Sequence, residues 1–493
     1  MAISFSHIPT TIRTPGVYGE FDASRALQGL AQINHTALII GQRTTTGTVA
    51  SGVLTAITND GLADGYFGVG SVLARMCNVF KDNNPNTELW AVALDDAGAA
   101  TVASGYVRVT GSAVATGTLR FLVNGVAVNV AVTSGDNYVS ICSAVMTAFS
   151  AEASGRWSPV IAVSADSNTV ALQAKNKGSL GNNINLRINY FTGQVSPSGI
   201  TISLGALSGG ATEPDLDDVW SVIDGQRFNY VVQPYTDATN LTSIETELED
   251  RILPLEDLGG IGFTASRNSV ANLSTLGNSR NSYLNVMPGA YDSPTCPEEW
   301  AAAWGAAAAK YLNNDPARPL HTIKLKGIMP PPKENCFTRA ERDVLLYDGI
   351  ATWVADDNYV YIERSITTYQ HTVLGVIDPT WLDVQTIATL LEIRDQYRIR
   401  MMTRYIDPRW KLADNSFPVQ PGSFVARPKD VHQEAIALFS LLRDRGLVDN
   451  LEEFKNNLVT ERDIADVNRV NQLLSPDLVN QFRILAGLIQ FIL

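Results

Sequence analysis

The side chains that could do chemistry are few and scattered. There are five histidines, His7, His35, His321, His371 and His432. No two sit at a spacing that would place both imidazoles on one metal ion, and there is no HExxH helix. The cysteines, Cys77, Cys142, Cys296 and Cys336, form no CxxC pair. This excludes a zinc ribbon or a disulfide scaffold and reads as free buried thiols. A nucleophile elbow (GxSxG) and a phosphate loop (GxxxxGK[ST]) are both missing. Asp95-Asp96 and Asp356-Asp357 are adjacent carboxylates. Neighbouring side chains do not converge on one substrate atom, so these pairs read as solvated turns rather than acid/base couples. Gly259-Gly260-Ile261-Gly262 has the glycines of a dinucleotide loop, but no strand precedes them and they lead into one. That order reads as a turn between a helix and a strand. No catalytic residue, cofactor site or metal site emerges.

The elements around these residues are more informative. The 493 residues suggest about three domains. Apolar residues make up 45% and charged residues 18%, which excludes a disordered chain. No run reaches the ~18 apolar residues of a spanning helix, and the first residues show no secretion signal. The net charge of −13 disfavours nucleic acid and anionic lipid as partners. Residues 100–210 differ, with six cations against three carboxylates, too sparse for a phosphate-binding stripe.

Residues 1–35 read as an arm, punctuated by Pro15-Gly16. Thr36 to Ile40 reads as a buried strand, Ser71 to Asn83 as a helix and Glu88 to Leu94 as the next strand. From about residue 100 charge falls, and Gly, Ser, Thr and Val rise. Asn124-Gly125 between alternating strands is a strong hairpin signal, because both turn positions need φ > 0. One helix and further strands (159–165, 168–174, 184–191, 200–207) complete an inserted module. The α/β rhythm returns at 211, with strands at 228–232, 261–263 and 283–287. Helices at 240–253, near 268–279 and at 297–313 alternate with them. After Pro330-Pro331-Pro332 helices dominate. One runs from about Thr380 to Arg404. Another runs from Val431 to Arg445, with Asp430 as N-cap and Gln433 at N3. Asn450 with Glu453 repeats that box.

The expected fold class is therefore α/β (α+β) and multi-domain. It has a mostly parallel-sheet core (36–99 and 211–330), an inserted β-rich module (100–210), a helix-rich C-terminal domain (331–475) and extended arms (1–35 and 476–493).

The two ends carry the strongest functional signal. The last ten residues, Ile484 to Leu493, are almost wholly apolar. Ile484, Ala486, Leu488 and Ile492 fall on one face of a strand, and Leu485, Gly487, Ile489, Phe491 and Leu493 on the other. Each buried aliphatic side chain is worth roughly 1.5–3 kcal/mol. Two placements stay open: an inner strand of this chain's own core, or a strand donated to a neighbouring subunit. Ile3, Phe5, Ile8, Ile12, Val17 and Tyr18 form a weaker apolar series at the other end. Extension strands at both ends suit a heterologous, head-to-tail lattice.

Several strings resemble the contractile tail sheath proteins of Mu-like bacteriophages, in an order that covers nearly the whole chain. They are Thr14-Pro15-Gly16-Val17-Tyr18, Gly68 to Met76, Lys175 to Asn182, Gly446 to Asn450, and Pro476 to Phe482 leading to Gln490-Phe491. The resemblance implies a homo-oligomer of stacked hexameric rings in a helical lattice around a tail tube protein. Its other partners are baseplate and tail terminator proteins, with no direct nucleic acid contact, no membrane insertion and no cofactor. It places the protein in the virion, assembled in the host cytoplasm, with contraction driving the tube through the host envelope to deliver the genome. It implies inter-subunit roles for Ile3, Phe5, Ile8, Ile12, Pro15, Gly16, Val17 and Tyr18 in one arm. In the other it implies them for Phe482, Ile484, Leu485, Leu488, Ile489, Phe491 and Leu493. Residues 331–493 with the N-terminal arm form the inner layer by this analogy, and 100–210 the outer. Two alternatives are a cytosolic α/β enzyme with a β-sandwich insertion and another phage structural protein of the tube or baseplate. The enzyme requires a deep pocket with perturbed titrating groups. A tube subunit is normally shorter and β-dominated.

Overall fold

The computed structural model describes residues 14–16, 19, 30–31, 33–420 and 423–492. Contacts divide the chain into two compact units. One holds 34–392 and the chain end from 480; the other holds 393–479 with the described residues before 34.

The first unit is built on a six-stranded sheet. Its order is Asn285–Val286, Ile261–Phe263, Tyr230–Val232, Thr36–Gln42, Glu88–Leu94, Leu54–Ala56. All neighbours are parallel except the last pair. Leu38 stands opposite Trp90 on one side and Val231 on the other. Thr36–Gln42 is buried along almost its whole length, because covered parallel strands must be apolar on both faces. The Pro297–Asn314 helix opens with Pro at its first turn, and nearly all its residues are buried. Its alanines let it approach closely: a Cβ on Gly305 would lie 2.6 Å from a methyl of Val232. Trp300 and Trp304 anchor it, Trp300 against Trp353 with ring centroids 5.2 Å apart.

Residues 331–392 were expected with the last part of the chain. They pack instead into this unit, where Leu345, Trp353, Val360 and Ile362 share the core of Trp300. The reason is the antiparallel sheet Ile323–Leu325, Tyr359–Arg364, Thr352–Asp356, which joins residues on both sides of the proline run. Asp356 ends one strand of its hairpin, opposite Tyr359, and Asp357-Asn358 make the turn, with Asp357 at φ 51.

Residues 104–208 carry a second core. Ser104–Gly111, Val160–Ala165, Thr169–Ala174 and Ile200–Ser208 form one antiparallel sheet; Gly117–Val123, Val126–Val132 and Leu186–Ile188 form another. Their inner faces close on the Tyr138–Glu152 helix, with Phe121 edge-on to Phe149 at 5.5 Å. Asn124 and Gly125 turn the hairpin at φ 50 and 77.

In the second unit the Pro428–Asp444 helix packs on Leu451–Asn457, with Phe439 stacked on Phe454 at 3.8 Å. Two capping expectations are corrected here. Pro428 takes the first helical position, so Arg427 is the N-cap, and Asp430, at N3, reaches back to the Arg427 N–H at 3.0 Å. Asn450 adopts φ 51 and makes no cap; its side-chain amide donates to Asp477. The long helix runs Val384–Met401 and ends in one π-helical turn, Met402–Ile406. It starts late because Asp378 Oδ1 accepts the Thr380 N–H at 3.0 Å and holds that stretch in a turn.

Candidate functional site

The described histidines lie apart. His35 Nδ1 meets Asn313 and Tyr230, His321 Nδ1 meets the Glu363 carbonyl, and His432 Nδ1 meets Thr460. Among the described residues no group of three His, Cys, Asp or Glu side chains could hold a metal ion. Asp95 accepts from Arg43 Nε and Ser51 Oγ, both at 2.7 Å, and those bonds hold its carboxyl below the usual range. Asp96 accepts from Gln42 at 2.8 Å and from the Lys177 N–H at 3.0 Å. Both aspartates are thus structural bonds between loops. Gly260 lies against backbone: a Cβ there would sit 2.2 Å from the Phe228 carbonyl, so the glycine serves strand packing.

Two of the strings singled out by sequence meet in space. Lys175 Nζ donates to the carbonyls of Val69 at 3.0 Å and Ala153 at 2.8 Å; Asn176 Oδ1 accepts the Val72 N–H and its Nδ2 donates to the Arg43 carbonyl. Burial lowers Lys175 to about 8. Glu213 then receives the N–H groups of Ser179 and Leu180. This polar seam ties residues 175–180 to the start of the Val72–Asn83 helix.

Beneath the seam lies a charge cluster that sequence reasoning missed. Arg75, Glu298 and Glu299 are all buried. Arg75 donates to Glu298 at 2.7 Å and to Glu299; Asn124 Nδ2 donates to Glu299 at 2.6 Å, and Asn124 Oδ1 accepts the Cys296 N–H at 2.7 Å. Burial drives Glu299 up to about 7, with Arg75 opposing. Arg75 is itself raised, burial being outweighed by the two carboxylates. The adjoining cavity, lined by Gly70, Arg75, Asn176, Gly181 and Glu298, has room for about one water molecule, so it is no substrate pocket. Glu298 and Glu299 open a helix in an apolar stretch, the only sequence trace of the cluster.

The exposed apolar surface is concentrated at the chain end. Phe482, Ile484, Leu485, Leu488, Ile489, Phe491 and Ile492 are 79–99% exposed, and residues 479–492 form no strand within the chain. Within the single chain this run packs into no core. Arg483, between two exposed apolar residues, is only 18% exposed, with Nη2 on Asp383 Oδ1 at 2.9 Å. A second exposed apolar feature, unmarked in sequence, is the turn carrying Val373, Leu374, Val376 and Ile377. Pro15 and Gly16 are exposed. Ile3, Phe5, Ile8, Ile12, Val17, Tyr18 and Leu493 lie outside the described residues.

Comparison with known proteins points to phage tail sheath proteins. Residues 209–368 match the phage tail sheath protein central domain, and 377–492 the phage tail sheath C-terminal domain. The Mu-like prophage FluMu tail sheath protein of Haemophilus influenzae is 35% identical over 494 residues, covering the whole of both chains. Among solved structures, the sheath tail protein of Desulfitobacterium hafniense aligns with 94% of this chain and 100% of its own, at 13% identity and a TM-score of 0.47. That of Listeria innocua aligns with 93% and 94%, at 13% identity and a TM-score of 0.49. With full-length identity to a named sheath protein and two sheath domains in order, this chain belongs to the phage tail sheath protein family and is a structural subunit of a phage tail sheath.

Proposed function

We propose that the subunit polymerises as stacked hexameric rings around the tail tube, and that the lattice contracts to drive the tube through the host envelope for genome delivery. The observation that carries this is the apolar run after Arg483, which stands in solvent in the isolated subunit. Donated to a sheet edge of a neighbour, its six large described side chains would contribute on the order of 10–20 kcal/mol of gross burial. That gross gain competes with an association cost of about 4–15 kcal/mol, so the arm holds a lattice best alongside further contacts. The N-terminal arm, with Ile3, Phe5, Ile8, Ile12, Pro15, Gly16, Val17 and Tyr18, pairs across subunits in the same way. The work of contraction is stored in packing: an extended lattice of higher energy relaxes when triggered, while arms keep neighbours linked. Residues 393–475 form the inner layer towards the tube and 100–210 the outer. Assembly takes place in the host cytoplasm with the tube, baseplate and terminator proteins.

Deletion of residues 481–493 tests the reading. The truncated protein is expected to stay soluble, melt cooperatively and form no tubes by electron microscopy. A truncated protein that still polymerises normally, or one that unfolds, overturns the donated arm.

A further inference from the structure

The chain end inverts the usual order of burial. Its apolar residues stand in water, and its one cation is sheltered. The partner of that cation is also held by contacts that do not involve the arm. Asp383 is bridged through its backbone to Ile366, and its carboxylate takes two bonds from Arg364, Nε and Nη2 each at 3.1 Å. Arg364 closes the Tyr359–Arg364 strand, so the carboxylate is fixed to a sheet. Arg483 Nη2 then donates to Asp383 Oδ1 at 2.9 Å, to Gln385 Oε1 at 3.4 Å and to Gln481 of its own segment. Gln385 is itself buried. Beyond this point the segment has no comparable hold. Gly487 has no atom within 4 Å of where a Cβ would stand, and every large apolar side chain around it is exposed.

We propose that Arg483 and Asp383 form a latch that fixes where the C-terminal arm leaves its own subunit, so that residues 484–492 are presented to a second copy of this chain in one direction. The latch rests on the reading of the arm as an inter-subunit element. It makes Arg483 a positioning residue: it does not contact the neighbour but limits the orientations the arm must give up on docking. Fewer orientations left to lose on docking mean a smaller entropic cost of association, so loss of the latch weakens assembly several-fold. A half-sheltered ion pair whose acceptor is also held by other contacts suits this role, because it restrains the arm without burying its apolar surface at home.

The test uses the full-length protein. Arg483→Ala is expected to leave the melting temperature of the unassembled subunit unchanged, while the critical concentration for tube formation rises roughly three- to tenfold. Arg483→Lys, which keeps the charge but not the fork, recovers part of the loss. Asp383→Asn is expected to raise the critical concentration in the same direction. The latch is overturned if Arg483→Ala forms tubes at the wild-type concentration, or if its subunit melts several degrees lower in step with the assembly defect. Deletion of 481–493 runs in parallel. If that deletion assembles normally, the arm itself is not the connector; if it abolishes tubes while Arg483→Ala is silent, only the latch fails.

Discussion

Asp383 receives two arginines that are far apart in sequence, Arg364 from the end of a strand and Arg483 from the chain end. One carboxylate thereby joins the end of the central strand of a folded sheet to the base of an exposed apolar arm. For a sheath subunit the placement matters: the arm is tied at its root and left open along its length.

The buried cluster gives the first prediction. Arg75→Met should destabilise the subunit by about 3–5 kcal/mol, because Glu298 and Glu299 would stay buried without their cation. Urea melts of the two proteins check it; a loss under 1 kcal/mol refutes it.

The second concerns pH. Burial raises Glu299 from the ordinary 4.5 to about 7. A carboxyl raised on folding binds its proton more tightly in the native state. Its contribution is full below pH 4.5 and is lost as pH rises through about 7. Glu299→Gln removes that dependence. The stability of wild type minus that of the variant should fall by on the order of 1–3 kcal/mol between pH 4.5 and 7.5. A flat difference across that window refutes the assignment.

The third opposes helix propensity to packing. Gly277 lies in the Val270–Asn278 helix, where alanine would normally be better by about 1 kcal/mol. A Cβ there would sit 1.9 Å from the Asp348 carbonyl. Gly277→Ala should therefore destabilise by about 1–3 kcal/mol. A rise in melting temperature would show that the contact relaxes freely.

The fourth concerns residues 100–210. Among the described residues their core draws only Cys296 from elsewhere in the chain, and their joint combines a polar seam with Leu180 and Trp157 packed against the neighbouring core. Expressed alone, they should give a cooperative thermal transition. A non-cooperative melt by circular dichroism would count against an independent module.

What sequence alone determined is local. The apolar runs of Thr36–Gln42 and Glu88–Leu94 marked buried strands, the alternation of strands and helices marked a mostly parallel sheet, and Asn124-Gly125 marked a hairpin of the inserted module. These follow from backbone preference and hydrophobic period, which act over a few residues. The apolar chain end was legible for the same reason. Its exposure was not, because a run that is apolar on both faces fits an inner strand of either its own subunit or another. Only the tertiary structure decided that residues 331–392 belong with the core of Trp300, since a sheet reaches back across the proline run. Only it brought Arg75 to Glu299, which lies 224 residues away, and Arg483 to Asp383. A buried ion pair leaves no periodic trace. Each partner alone reads as an ordinary surface charge, and the pair exists only because packing removes both from water and sets them within hydrogen-bonding distance.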